Sequence, residues 1–398
     1  MKNDTIQPNQ RFSYFNGLNA VRFIVASLVM LMHIRSTQGT QHLPILPELP
    51  IFFKGLNAVY FFFVLSGFLI TYLLLKEIEK TKTVNVAKFY LKRVWRIWPL
   101  YFIISVIGFS FYWYIAPRIG IGAPIDYNRS AAVLMYLFFG ANVINSLYHV
   151  GGILHITWSI AIEEQFYLVW APLIRRFKDS LPVIFAIVFF TSIAINVLNW
   201  YDLLGLNEGW KQVVHTFQFH YMAMGGWFAY LLFTKPKELI ESFFFRTKKG
   251  QIISLLYLVI VFFFYKKINW LEPLLIIPNG LLYVWVILNV SVNPKKLFSL
   301  DKPILNYLGK ISYGVYIYHM LAVYAIAFLA GKFLTEVSPI LFHIVFIVSV
   351  FAITLLLASL SWHIIESKIL KFGSKKIQQF ENRKKDKVLP AIPPMINN

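Results

Sequence analysis

Arg22 and His33 are the first residues in the chain whose types and spacing can do chemistry. One is a permanent cation and the other a base that titrates near neutrality, and both sit inside the apolar stretch NGLNAVRFIVASLVMLMHI, residues 16–34. On a helix, eleven residues bring them back to within about 20° of the same face and leave them about 16 Å apart, roughly half a hydrocarbon core. A second costly pair, Glu163 and Glu164, lies in HITWSIAIEEQFY, residues 155–167. Each charge at bilayer depth costs about 2.5 to 3.5 kcal/mol on insertion scales, so something must offset all three. The plain offset is a structural ion pair between Arg22 and one glutamate; the chemical one is a polar cavity in which a carboxylate orients a histidine. Neighbouring glutamates point about 100° apart on a helix, so they should not share a role. A third group, Lys92, Arg93 and Arg96 in FYLKRVWRIWP, residues 89–99, places two arginines at i,i+3. Forked donors on one face suit phosphate, while Trp95 and Trp98 beside them also suit ordinary anchoring at the headgroup level.

Other chemistries are weakened or excluded. The sequence contains no cysteine, which removes disulfides, thiolate nucleophiles and Cys-ligated zinc. His33, His149 and His155 should share a depth, but no H-E-x-x-H or similar tight ligand spacing is present, so no metal site is expected. His319, at the end of LGKISYGVYIYH, reads as a structural histidine held by a tyrosine or a backbone carbonyl. Trp113, Tyr114, Trp200 and Trp210 offer ring faces to a ligand, although an aromatic belt at the membrane surface is the simpler account.

The elements that must position these groups are membrane helices. Of 398 residues, 58% are hydrophobic and only 14% charged, far from the soluble average. Ten apolar segments near 17–35, 55–75, 97–116, 155–173, 181–200, 212–233, 250–266, 271–291, 312–332 and 339–362 are each read as long enough to cross about 30 Å of hydrocarbon, which predicts an all-α, polytopic transmembrane helix bundle of about ten spans. The formal charge of +20 is concentrated in alternate segments, chiefly 76–96, 175–178, 235–249, 295–310 and the stretch after 366. That bias places both termini in the cytoplasm and accounts for the basicity as orientation signal and lipid-headgroup contact, not nucleic-acid binding. An eleventh crossing at 131–149 would invert the bias, so this segment is expected as a re-entrant or interfacial element on the outer side, with Gly151 and Gly152 turning the chain. Residues 1–16 are expected as a cytoplasmic arm, 17–366 as the transmembrane domain, and 367–398 as a basic, disordered cytoplasmic tail.

Five motifs together resemble one family. Arg22-x10-His33, FFFVLSGFLIT at 61–71, RVWRIWPLY at 93–101, TWSIAIEEQFYLVW at 157–170 and LGKISYGVYIYH at 308–319 resemble, in order, the acyltransferase-3 family of integral-membrane O-acyltransferases. The resemblance runs from residue 13 to about 366. It implies transfer of an acyl group, commonly acetyl from cytoplasmic acetyl-CoA, to a hydroxyl of carbohydrate on the outer side of a bacterial inner or cytoplasmic membrane. It also implies that His33 is the essential histidine, as general base or acyl carrier, that Arg22 is its partner, and that Arg93 and Arg96, with Lys92, contact CoA. Many members have Asp where Asn19 and Asn57 stand here, so a carboxylate for Arg22 is expected from Glu163 or Glu164. An outer partner protein, if transfer needs one, is expected as a separate chain. The competing reading is a transporter or flippase for a glycolipid or glycan precursor, which should carry inverted internal symmetry and paired interrupted helices; neither is visible in the sequence.

Overall fold

The computed structural model describes residues 12, 15–119, 125–264, 272–334 and 337–388. Most of the expected arm over 1–16 and the final ten residues of the tail lie outside the described residues. Among the described residues every regular element is a helix. In chain order these are α1 (Leu18–Thr40), α2 (Gly55–Thr81), α3 (Val86–Ser110), α4 (Arg129–Leu137), α5 (Ala141–Leu147), α6 (Gly152–His155), α7 (Trp158–Arg176), α8 (Leu181–Trp200) and α9 (Glu208–Thr216). They continue with α10 (Phe219–Thr234), α11 (Pro236–Ile240), α12 (Phe243–Arg246), α13 (Lys248–Val259), α14 (Glu272–Ser291), α15 (Pro303–Lys310), α16 (Ser312–Phe333), α17 (Pro339–Ser361) and α18 (Ser367–Val388).

Seven stretches are long and apolar enough to cross a bilayer, which makes this a multi-pass membrane protein. They are α1, α2, α3 continued to Arg118, α8, α14, α16, and α17 continued through α18 to Asn382. The other three expected crossings fall on helices that are shorter or more polar. α7 has 19 residues but carries Glu163, Glu164, Arg175 and Arg176. The stretch 212–233 is divided after Thr216, leaving α10 with 16 residues, about 24 Å of rise. α13 has 12 residues and passes into a π turn at Ile260–Phe264.

Three boundaries differ from the sequence expectation for local reasons. α3 begins at Val86, not near 97, because the Asn85 side chain accepts from the Lys88 backbone N–H at 3.1 Å and caps the helix. Lys92, Arg93 and Arg96 are therefore presented from a helix, with fixed spacing. The segment 129–155 is broken into α4, α5 and α6, the longest only 9 residues and too short to cross; Gly151, at φ 92°, makes the turn into α6. The tail expected to be disordered is instead helical as α18. Composition alone misses this because the helix is held from outside: Phe372 meets the Trp95 ring edge-on at 5.3 Å, Gly373 lets α18 lie against Trp95, and Glu381 pairs with Lys88.

The site is positioned by α2, which lies at the centre of the bundle. α1 and α16 pack together along one side of it, and α10 and α14 contact it on another. A Cβ at Gly67 would overlap the backbone of Met222, and one at Gly225 would overlap the backbone of Val64, so α2 and α10 touch main chain to main chain. α7 is fixed to α2 by Trp170, whose Nε1 donates to Thr71 Oγ1 at 2.9 Å while its ring stacks on Phe166 and Phe185.

Candidate active site

Five helices converge on a cavity of about 300 Å³. α1 contributes Arg22, α2 Ser66, α3 Arg93 and Arg96, α7 Ser159 and Glu163 with Tyr167, and α16 Tyr313 and Tyr316. Three guanidinium groups thus face one carboxylate. Among the described residues none of the three arginines enters an ion pair. The expected Arg22–glutamate bridge does not form: Glu163 Oε2 instead accepts from Ser66 Oγ at 3.0 Å and from Tyr167 Oη at 2.5 Å. Arg93 lies over the rings of Phe89 and Tyr167, at 5.6 and 5.4 Å, and its buried Nε has no hydrogen-bond partner. Among the described residues the cavity therefore holds more guanidinium than carboxylate charge together with a donor that has no partner, a setting in which an anion would be favoured.

Glu164 belongs elsewhere. Its Oε2 accepts from Trp98 Nε1 at 2.9 Å, its Oε1 is buried without a partner, and it is absent from the cavity lining. The roughly 100° between the two glutamates separates their environments as helix geometry requires. Trp98 consequently acts as a hydrogen-bond donor within the bundle as well as an aromatic at the helix surface.

Lys92 and Arg93 line a second cavity of about 570 Å³ with Lys76, Lys80, Lys88 and Arg175. Arg93 and Leu73 line both cavities, so the two share a wall. Arg96 lines only the arginine-rich one.

His33 is not part of that lining. Its ring lies 5.2 Å from the ring of His319, which is almost fully buried. His319 Nδ1 is 2.7 Å from the Tyr316 carbonyl oxygen, which can only accept, so Nδ1 carries the proton. Nε2 is buried without a hydrogen-bond partner among the described residues, so in the neutral form of the ring it is the lone-pair nitrogen. The sequence reading of His319 as a histidine held by a carbonyl describes its Nδ1; it missed the partner, because nothing local announces a contact across 286 positions. Tyr316 joins the two regions. Its ring lies 5.8 Å from that of His319, the residue lines the arginine-rich cavity, and its hydroxyl bonds Ser159 Oγ at 2.7 Å. Tyr167, Ser66 and Tyr316 were not singled out in the sequence; the i,i+4 spacing of Glu163 and Tyr167 was the one available signal. Among the described residues no group of three or more His, Asp or Glu side chains is placed to hold a metal ion.

Residues 15–359 match the family described as an acyltransferase domain, acyltransferase-3. The chain belongs to this family. It is 26% identical over 339 residues to the peptidoglycan O-acetyltransferase OatA of Listeria monocytogenes, covering 80% of this chain and 52% of that one. It is also 26% identical over 349 residues to the O-acetyltransferase OatA of Staphylococcus aureus, covering 81% and 53%. The chain therefore spans about half the length of these curated relatives. No solved structure matches it.

Proposed function

We propose that this acyltransferase-3 protein is an O-acetyltransferase that moves acetyl from cytoplasmic acetyl-CoA to a hydroxyl of a cell-envelope carbohydrate, from within a bacterial cytoplasmic membrane that it crosses ten times with both termini inside and the 129–155 helices on the outer side. The observation that carries the reading is the convergence of Arg22, Arg93 and Arg96 on one cavity with a single carboxylate. The lysine-lined cavity has the charge to take the nucleotide phosphates, and its shared wall at Arg93 leads the thioester end inward. There the arginine-rich cavity offers cations to the polar and anionic groups of the donor on its way toward His33, which lies about 16 Å from Arg22 by helical rise.

His33 takes the proton of the hydroxyl as its oxygen bonds the acetyl carbon, the thioester C–S bond breaks and the departing CoA sulfur receives that proton as a thiol; His319, ring to ring beside His33, holds the imidazole in place. Tyr316, whose ring lies beside that of His319, and Ser159, bonded to it, line the cavity that holds the arginines. Peptidoglycan, named for the Listeria relative, is a carbohydrate of the required kind. The test is acetyl transfer from radiolabelled acetyl-CoA to glycan by the purified protein in lipid nanodiscs. His33→Ala is expected to lower the rate at least about 100-fold, the lower range for loss of a general base. Transfer within threefold of the unsubstituted protein, with the variant folded, would remove the mechanism.

A further inference from the structure

A third cavity, of about 440 Å³, opens at the other end of α2, where the first residues of α2 and α14, the last residues of α8, and α9 meet. Its lining differs in kind from that of the two basic cavities. The Trp200 and Tyr60 rings form apolar walls, and Asn57, Gln218 and Asn279 supply side-chain amides. These amides are only partly used within the protein. Asn279 Oδ1 accepts from Tyr257 Oη at 3.1 Å, and Gln218 Nε2 donates to Asn196 Oδ1 at 3.1 Å and to the His215 carbonyl oxygen at 2.6 Å. Asn57 Nδ2 donates to Tyr283 Oη at 3.0 Å. The opposite end of each amide, Asn279 Nδ2, Gln218 Oε1 and Asn57 Oδ1, has no hydrogen-bond partner among the described residues. None of these atoms is sealed from solvent, so they are left to the cavity. The charges around it are balanced: Glu48 pairs with Arg35 at 3.6 Å, and Lys54 stands in the field of Glu272.

We propose that this cavity binds an uncharged sugar unit of a glycan chain, and that the acceptor of this enzyme is therefore an oligosaccharide or polymer engaged at a second point away from the reacting hydroxyl. Flat rings that accept the C–H face of a pyranose, together with neutral donors and acceptors for its hydroxyls, are the chemistry of sugar recognition. A phosphorylated or uronic ligand would find no surplus of cations here, unlike in the arginine-rich cavity. The position fits the reading under Proposed function, on which this inference rests. Gly55, the first residue of α2, packs against Met32, the neighbour of His33, so the cavity lies at the His33 end of α1 and at the far end of α2 from Lys76 and Lys80. His33 is not in its lining, so a ligand seated there reaches the histidine pair only through a further unit of its chain.

The test reads sugar binding without donor, so it stands apart from transfer. Full-length protein in nanodiscs is titrated with chitotetraose, cellotetraose and tetragalacturonate, and contact is followed by saturation-transfer difference NMR and dissociation constants. At least one neutral tetrasaccharide is expected to bind, with tetragalacturonate at least tenfold weaker. Asn279→Asp, which keeps the acceptor for Tyr257 Oη and removes the free donor, is expected to weaken binding about tenfold, and Trp200→Ala by more. Arg96→Gln should leave sugar binding unchanged while lowering acetyl-CoA binding. Absence of neutral tetrasaccharide binding, or equal binding by both cavity variants with intact fold, overturns the proposal. Sugar binding that persists in a protein unable to use acetyl-CoA would sink the transferase reading and leave this site standing.

Discussion

The two adjacent glutamates show how much one residue's direction decides. Glu163 is the single carboxylate among the described residues lining the arginine-rich cavity, and Ser66 and Tyr167 hold it there. Glu164, one residue later, answers to Trp98 outside that lining. Glu163→Gln is therefore expected to lower acetyl transfer at least about tenfold, a change of about 1.4 kcal/mol in the barrier, because it alters the charge balance around three guanidinium groups. Glu164→Gln should stay within about threefold in transfer. Steady-state rates of the two variants in nanodiscs check the contrast, and equal losses would refute it. This division was legible in the sequence as two carboxylates pointing different ways, but which was which was not. That choice depends on Ser66 and Trp98, brought in from α2 and α3. The Arg22 and His33 stripe was legible for the same reason, since both lie on one helix. The pairing of His33 with His319 was not, because it is made only when α1 and α16 pack.

At the scale of elements, the framework rests on close helix contact. Between apolar helices in lipid there is little hydrophobic gain, so small residues that allow backbones to meet carry much of the association. Gly67 and Gly225 do this reciprocally between α2 and α10. Gly67→Val must push α10 away, and overpacking of this kind costs about 1 to 3 kcal/mol, with more where the obstacle is backbone. A clearly lower thermal unfolding midpoint in nanodiscs is the expected result. Gly331→Ala, in α16, is the control of opposite sign. Its Cβ would meet only Leu43 Cδ2 at 3.8 Å, and the change should stabilise the helix by about 0.4 to 1 kcal/mol. A midpoint for Gly67→Val that matches or exceeds that of Gly331→Ala would show that the α2–α10 contact is not close. Helix existence was readable from apolar runs, whereas helix beginnings and the helical tail depended on Asn85 and on docking against Trp95.

Across the whole molecule, three cavities are strung along α2: a lysine-lined one at Lys76 and Lys80, an arginine-rich one from Leu73 to Val59, and an aromatic, amide-lined one from Tyr60 to Leu56. α18 closes part of the first, and Glu381 pairs there with Lys88 and lines the cavity. If acetyl-CoA phosphates enter this cavity, Glu381 opposes them twice, by its own charge and by occupying Lys88. Glu381→Gln is then expected to tighten acetyl-CoA binding about threefold at low ionic strength, within the range for a partly exposed ion pair, and Lys88→Gln to weaken it by a similar factor. Both effects should fade toward 1 M salt, where the screening length falls to about 3 Å. Calorimetric titration of acetyl-CoA into each variant at two salt concentrations reads the sign directly. Unchanged or weaker binding in Glu381→Gln at low salt would mean that the nucleotide does not use the cavity that α18 helps to close.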